Sequence, residues 1–297
     1  MGTTGIDPVY TSWYVADAEG LFKKNGLDAT ITLFDRGGEG LNAVIAGQQD
    51  TAGNAETPVI LVLEKGADIL VPAMFTRAPT TIKMVAKSSI KTPQDFKGKT
   101  IGAPLGSVSE YVWDRYFDKH GVNKSEVKYV NVAAPEVVAA LDRGDIDAFF
   151  LWEPFPTRAL ETSGNKVHLM ATSADDGVYE SSLFMQVSGS FAEQNPKAVE
   201  NILKSLIEAN EIIKKDPDKA GQITAKVTKM EVAQATKLVK EFKYDVLIDD
   251  DTVNKFQEAA AWMQGKGQIK QIPDWKKSIT PEFLKRVEPK NVNFTKW

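Results

Sequence analysis

An α/β fold in two lobes is predicted by this sequence on three observations. Strand-like and helix-like segments alternate through its first two thirds, the alternation is laid out twice, and the last third is helical. A length of 297 residues is about twice that of an ordinary domain and leaves room for two hydrophobic cores.

The first lobe opens with Tyr14, Ala18, Leu21 and Phe22 at helical spacing, stopped by Asn25-Gly26, a pair suited to the left-handed residue that ends a helix. Residues 29–34 alternate apolar and polar as a strand does. Arg36-Gly37-Gly38 then turns the chain into a helix with Leu41, Val44 and Ile45 on one face and Gly47 at its end. A short strand at 51–53, a helix over 58–65 and a strand over 69–75 continue the rhythm, which predicts a mostly parallel sheet covered by helices.

The second lobe repeats the plan. Thr92-Pro93-Gln94-Asp95 joins a capping residue, proline at the first helical position and an acid in the first turn. A strand at 100–103 leads to Gly106-Ser107, where Ser107 and Glu110 have the spacing of a capping box ahead of a helix carrying Val112, Tyr116 and Phe117. Strand 127–132, helix 135–143 and strand 146–151 follow. Setting Gly47 on Gly144 brings Asp50 onto Asp147 and Glu56 onto Glu153, so each half has an apolar helix, a turn with aspartate, a strand and a following glutamate. Beyond Ser188, segments 196–215, 217–227, 230–242, 252–264 and 281–287 read as helices with apolar stripes under lysine- and glutamate-rich surfaces. Residues 81–86 and 182–188 are strand candidates and the expected hinge crossovers, giving lobe 1 as residues 1–84 and 185–297 and lobe 2 as residues 85–184.

Composition narrows the function. Hydrophobic residues at 42% and charged ones at 26% are ordinary for a globular chain, and a net charge of -4 supplies no basic field for nucleic acid. No apolar run reaches the ~20 residues that span a bilayer. The absence of cysteine removes disulfides, thiolate nucleophiles and zinc-thiolate sites. His120 and His168, the only histidines, lie far apart, so neither a metal site nor a histidine base is expected, and no cofactor motif is present. Met1-Gly2-Thr3-Thr4 lacks the basic and apolar regions of a signal peptide and is expected to stand where a removed signal segment was.

Read in order, several segments resemble the sulfonate, taurine, nitrate and thiamine-precursor branch of the type II periplasmic solute-binding proteins of ABC importers. They are Ala18 to Asp28 with Gly20-Leu21-Phe22-Lys23-Lys24, Gly37-Gly38, Ala46-Gly47-Gln48-Gln49-Asp50, Gly98 to Gly102, Gly106-Ser107, Ala140 to Ala148 with Trp152-Glu153-Pro154, and Asn195-Pro196. The resemblance implies a two-lobed fold with two mixed, mostly parallel sheets and flanking helices. It further implies a monomer outside the cytoplasm that closes on a small organic anion or zwitterion and docks on a membrane permease.

Candidate contacts lie where strands end and helices begin, the usual ligand edge of open α/β sheets. Gly106, Ser107 and Val108 offer backbone amides at a helix amino terminus, while Ser107 equally serves as that helix's cap. Arg36 and Arg77 each follow a strand and can grip an acidic head group, with Glu56 and Glu153 as competing partners or as acceptors for a ligand ammonium. Tyr10, Trp13 and Trp152 can flank an apolar ligand body, the alternative for either tryptophan being core packing. Asn54 and Thr57 are small polar candidates after the strand at 51–53.

Two other classes compete. Pyrimidine synthases of thiamine-precursor metabolism share the implied fold, but their cysteine-rich motif has no counterpart in a cysteine-free chain. The ligand-sensing domain of a transcription regulator would need a helix-turn-helix segment, and none precedes Tyr10.

Overall fold

Ten strands run through the residues described by the computed structural model, which are 6–35 and 37–295. They are β1 (Thr51–Asn54), β2 (Ile69–Ala78), β3 (Ile82–Lys87), β4 (Thr100–Ala103), β5 (Lys128–Asn131), β6 (Ala148–Trp152), β7 (Val167–Thr172), β8 (Ser181–Ser188), β9 (Ile248–Asp249) and β10 (Val292–Asn293). The chain separates into two units, Met1–Arg77 with Ser182–Trp297, and Ala78–Ser181.

In the first unit the sheet order is β1-β8-β2, with β1 antiparallel to β8 and Asn54 opposite Phe184. Alternation along the strands sends Gly53 and Phe75 to one face. There Phe75 meets Tyr10 and Trp13, each with ring centroids 6.0 Å away. Gly53 is required by that contact, since a Cβ on it would lie 2.8 Å from a Tyr10 ring carbon and 3.1 Å from Phe75. Phe184, on the opposite face, packs 4.8 Å from Phe256 of helix Asp250–Gly265. Helix Pro196–Lys215 is seated on helix Thr11–Ala18 by the Ser12 hydroxyl, which donates to Asn210 Oδ1 at 2.6 Å.

The second unit has the sheet order β5-β4-β6-β3-β7. Pairing is parallel from β5 through β4 to β6 and antiparallel from β6 through β3 to β7, so the sheet is mixed. Helix Val108–His120 lies on it through Trp113, edge-on to Phe150 at 5.4 Å and to Phe96 at 5.2 Å, and through the Ser109 hydroxyl, which donates to the Phe150 carbonyl.

Three sequence expectations are corrected. Residues 29–34 form no strand; their alternation lines a partly exposed segment, with Leu33 40% exposed. Segments 81–86 and 182–188 are not connectors, because β3 is interior to one sheet and β8 is the middle strand of the other. The connections run between β2 and β3 and between β7 and β8, and they meet on Ser173. Its N–H donates to Ile82 O at 2.9 Å, its hydroxyl to Pro79 O at 3.4 Å, and its carbonyl accepts from Tyr179 N at 2.6 Å. β2 therefore leaves the first unit at the end where β8 enters it. Strand β7 and helix Phe155–Thr162 are additions with no counterpart in the sequence reading.

Candidate functional site

The first unit carries its candidates around the end of β1. Thr51-Ala52-Gly53-Asn54 is a strand of small residues, buried throughout, that stops at Ala55, the extended cap of helix Glu56–Glu64. Asn54 is buried, donates from Nδ2 to Gln186 Oε1 at 2.9 Å and lies against Gly37, where a side chain would collide with it. Glu56 and Thr57 occupy the first helical turn with no exposed surface. A carboxylate suits that position, since the amino end of a helix carries partial positive charge. Tyr10 spends its hydroxyl on Gly53 O at 2.9 Å, and Trp13 is a core residue between Phe22 and Phe75. Core packing is thus the reading that holds for the Trp13 ring, whose Nε1 is buried without a hydrogen-bond partner among the described residues. Arg36 lies outside the described residues.

Arg77 departs from its expected role. Its guanidinium donates to Asp249 Oδ2 at 2.6 Å and lies 3.5 Å from Asp251. Asp249 is the cap of helix Asp250–Gly265, where it accepts from Thr252 N at 2.9 Å, so Arg77 ties β2 to the start of that helix. Both contacts are made by Nη2, and the buried Nε has no hydrogen-bond partner among the described residues, so the guanidinium is tied to the aspartates through one nitrogen.

In the second unit β4 leads to Gly106, whose left-handed φ of 73° admits the turn into helix Val108–His120. The expected capping box is not formed. Ser107 Oγ accepts from Ser109 N at 3.2 Å, whereas the Glu110 carboxylate reaches back one residue further and accepts from Gly106 N at 2.9 Å. The Gly106 amide, expected to face an anion, already serves the chain's own carboxylate. Ser107 and Val108 remain at the helix amino terminus, Val108 nearly buried. Trp152 is partly exposed and packs against the apolar core of this unit. Glu153 has no exposed surface and accepts from Lys83 Nζ at 2.5 Å and Thr157 Oγ1 at 2.9 Å. The internal echo has a structural counterpart: Glu56 opens the helix that follows β1, and Glu153 lies between β6 and the helix that follows it, both without exposed surface. At the opposite end of β6, Asp147 is held below its ordinary value; burial pushes it up, but bonds from Lys87 and the Thr100 amide outweigh that.

An α/β unit interrupted by a second α/β unit, each ending its strands at helix amino termini, is the periplasmic binding protein fold. The alkanesulfonate-binding protein SsuA from Xanthomonas axonopodis pv. citri, solved bound to MOPS, matches with a TM-score of 0.82 at 20% identity, over 94% of this chain and 96% of that one. The desulfurization enzyme DSZB shares the fold, with a TM-score of 0.73 at 15% identity over 97% and 98% of the two chains. The chain belongs to the NMT1/THI5-like family, which it matches over residues 7–220. Among curated relatives, the taurine-binding periplasmic protein of Escherichia coli (strain K12) is 27% identical over 205 residues, 69% of this chain; the chain spans 63% of that relative's length.

Proposed function

We propose that this protein is the solute-binding component of a bacterial ABC importer, working outside the cytoplasmic membrane. It captures one small organic anion or zwitterion, such as a sulfonate, a taurine-like compound or an aromatic carboxylate, and delivers it unchanged to a membrane permease. The observation that carries the reading is the repetition of one device in both units: a strand running into a helix amino terminus beside small polar side chains, the buried Asn54 and Thr57 in one and the partly buried Ser107 in the other. Such strand ends are where open α/β sheets bind ligands. The taurine-binding relative and the alkanesulfonate-binding structure support the ligand class. No helix among the described residues is long and apolar enough to cross a membrane, in keeping with a separate permease.

Capture works by hinge closure. A ligand touching both units favours the state in which both contacts are made, and that differential affinity drives the change. The links between β2 and β3 and between β7 and β8 absorb it, since β3 and β8 are themselves fixed in sheets. Native mass spectrometry of the purified protein tests the function: one small anion per monomer, recovered chemically unchanged after long incubation, is the expected result. The desulfurization enzyme with this fold makes turnover the second reading, and conversion of the bound compound would establish it instead.

A further inference from the structure

Among the described residues of the first unit several buried polar atoms lack a hydrogen-bond partner, Trp13 Nε1, Arg77 Nε, Asn210 Nδ2 and the Thr280 hydroxyl among them, and three further ones are hydroxyls of residues with no exposed surface. Thr57, Thr76 and Ser182 are fully buried, and the Oγ atom of each has no hydrogen-bond partner among the described residues. Buried hydroxyls are nearly always bonded, so three such atoms in one unit call for an account. Their placement supplies one. Thr76 follows Phe75 in β2 and so faces away from the Tyr10 and Trp13 side; Ser182 precedes Phe184 by two and shares its face, the one toward Phe256. β2 ends where β8 begins, and Asn54, the last residue of β1, lies opposite Phe184. Thr76, Ser182 and the first turn of helix Glu56–Glu64 with Thr57 therefore gather at one end and one face of the sheet.

Resting on the anion reading of the proposed function, we infer that the Thr57, Thr76 and Ser182 hydroxyls hold the ligand's head group in this unit and select a sulfonate over a carboxylate. The donors are neutral, and Arg77 Nη2 is engaged by Asp249 and Asp251. A buried site of neutral donors favours the anion that surrenders its water most readily, because desolvation is the main cost there. A sulfonate spreads a single charge over three oxygens, one for each hydroxyl. A carboxylate concentrates it on two and is the more strongly hydrated. Neither Thr76 nor Ser182 belongs to a motif; what could have pointed to them is a lone hydroxyl residue near the end of an otherwise apolar strand.

Titration calorimetry with taurine, β-alanine, butanesulfonate and butanoate tests this on the intact chain and on T57V, T76V, S182A and T76S. The parent is expected to prefer the sulfonate of each pair. The three hydroxyl deletions should each weaken sulfonate binding about ten- to a hundredfold, the range of a bond to a charged group, while T76S stays within about threefold of the parent. Melting temperatures of the deletions should be unchanged or raised, since each removes a buried hydroxyl that lacks a protein partner. Undiminished sulfonate binding in all three deletions overturns the inference and leaves the proposed function standing. Lowered melting temperatures, or misfolding, overturn it by assigning the hydroxyls to the fold, and a carboxylate preference overturns the selectivity. A parent that binds none of the four anions removes the anion reading and the inference together.

Discussion

Lys83 Nζ and Glu153 Oε1 lie 2.5 Å apart, the carboxylate without exposed surface and the lysine side chain 17% exposed. Lys83 is on β3 and Glu153 follows β6, strands paired antiparallel with Lys83 opposite Leu151, so the ion pair clamps the middle of the second sheet.

Removing one partner of such a pair leaves a buried charge uncompensated. The variant K83M should lose about 3 kcal/mol of stability in urea unfolding, and adding E153Q to it should return about 1 kcal/mol or more. A K83M chain as stable as the parent would show that the pair does not hold this sheet together.

Arg77 acts on the fold through Asp249. The variant R77A should lower unfolding stability by about 1 to 2 kcal/mol, a charge-assisted bond discounted for the partial exposure of both side chains, and should leave ligand affinity within about threefold. Calorimetry on R77A with the identified ligand decides it: a large loss of affinity with unchanged stability would return Arg77 to the ligand.

The acid limb of stability has named sources. Asp95 is held below its ordinary 3.8 by the backbone amides of Lys91 and Thr92, and Glu200 below its ordinary 4.5 by bonds from Arg286 and Lys197. Asp147 is also lowered, burial opposing and Lys87 and Thr100 prevailing. Each folded carboxyl binds its proton more weakly than the unfolded one, so its contribution is complete above the ordinary value and is lost as pH falls through the depressed one. Urea midpoints should decline below about pH 4, less steeply in the double variant D95N/E200Q.

Where function and fold are encoded within a few neighbouring residues, the sequence was legible. The helix boundaries at Pro196, Lys215, Pro281 and Val287 follow from proline at the first turn and apolar spacing, and both are local. Segment 29–34 and β7 fail for complementary reasons: alternation predicts a strand only if a partner strand is present, and β7 finds its partner in β3 although it carries the 45% exposed Leu169. The site was legible as a set of positions more than as a set of roles. Arg77 was visible as an arginine after a strand, but Asp249 is 172 residues away in the chain and no spacing rule connects them. The spacing from Ser107 places Glu110 at its helix start, yet the one-residue shift of its bond from Ser107 to Gly106 depends on a left-handed glycine that only the folded backbone reveals.

The β1-β8-β2 order sets a timetable for synthesis. β1 and β2 are not neighbours; the strand that joins them is specified more than a hundred residues after β2, once the whole of Ala78–Ser181 has been made. The inserted unit can complete its own sheet while the first is still waiting, because all five of its strands lie between Ile82 and Thr172. Domains tend to fold as units in the order they emerge, and pairings distant in sequence form late. Until β8 has been synthesised the first unit therefore cannot close its sheet, and β1 and β2 wait as separate edges for the strand that joins them.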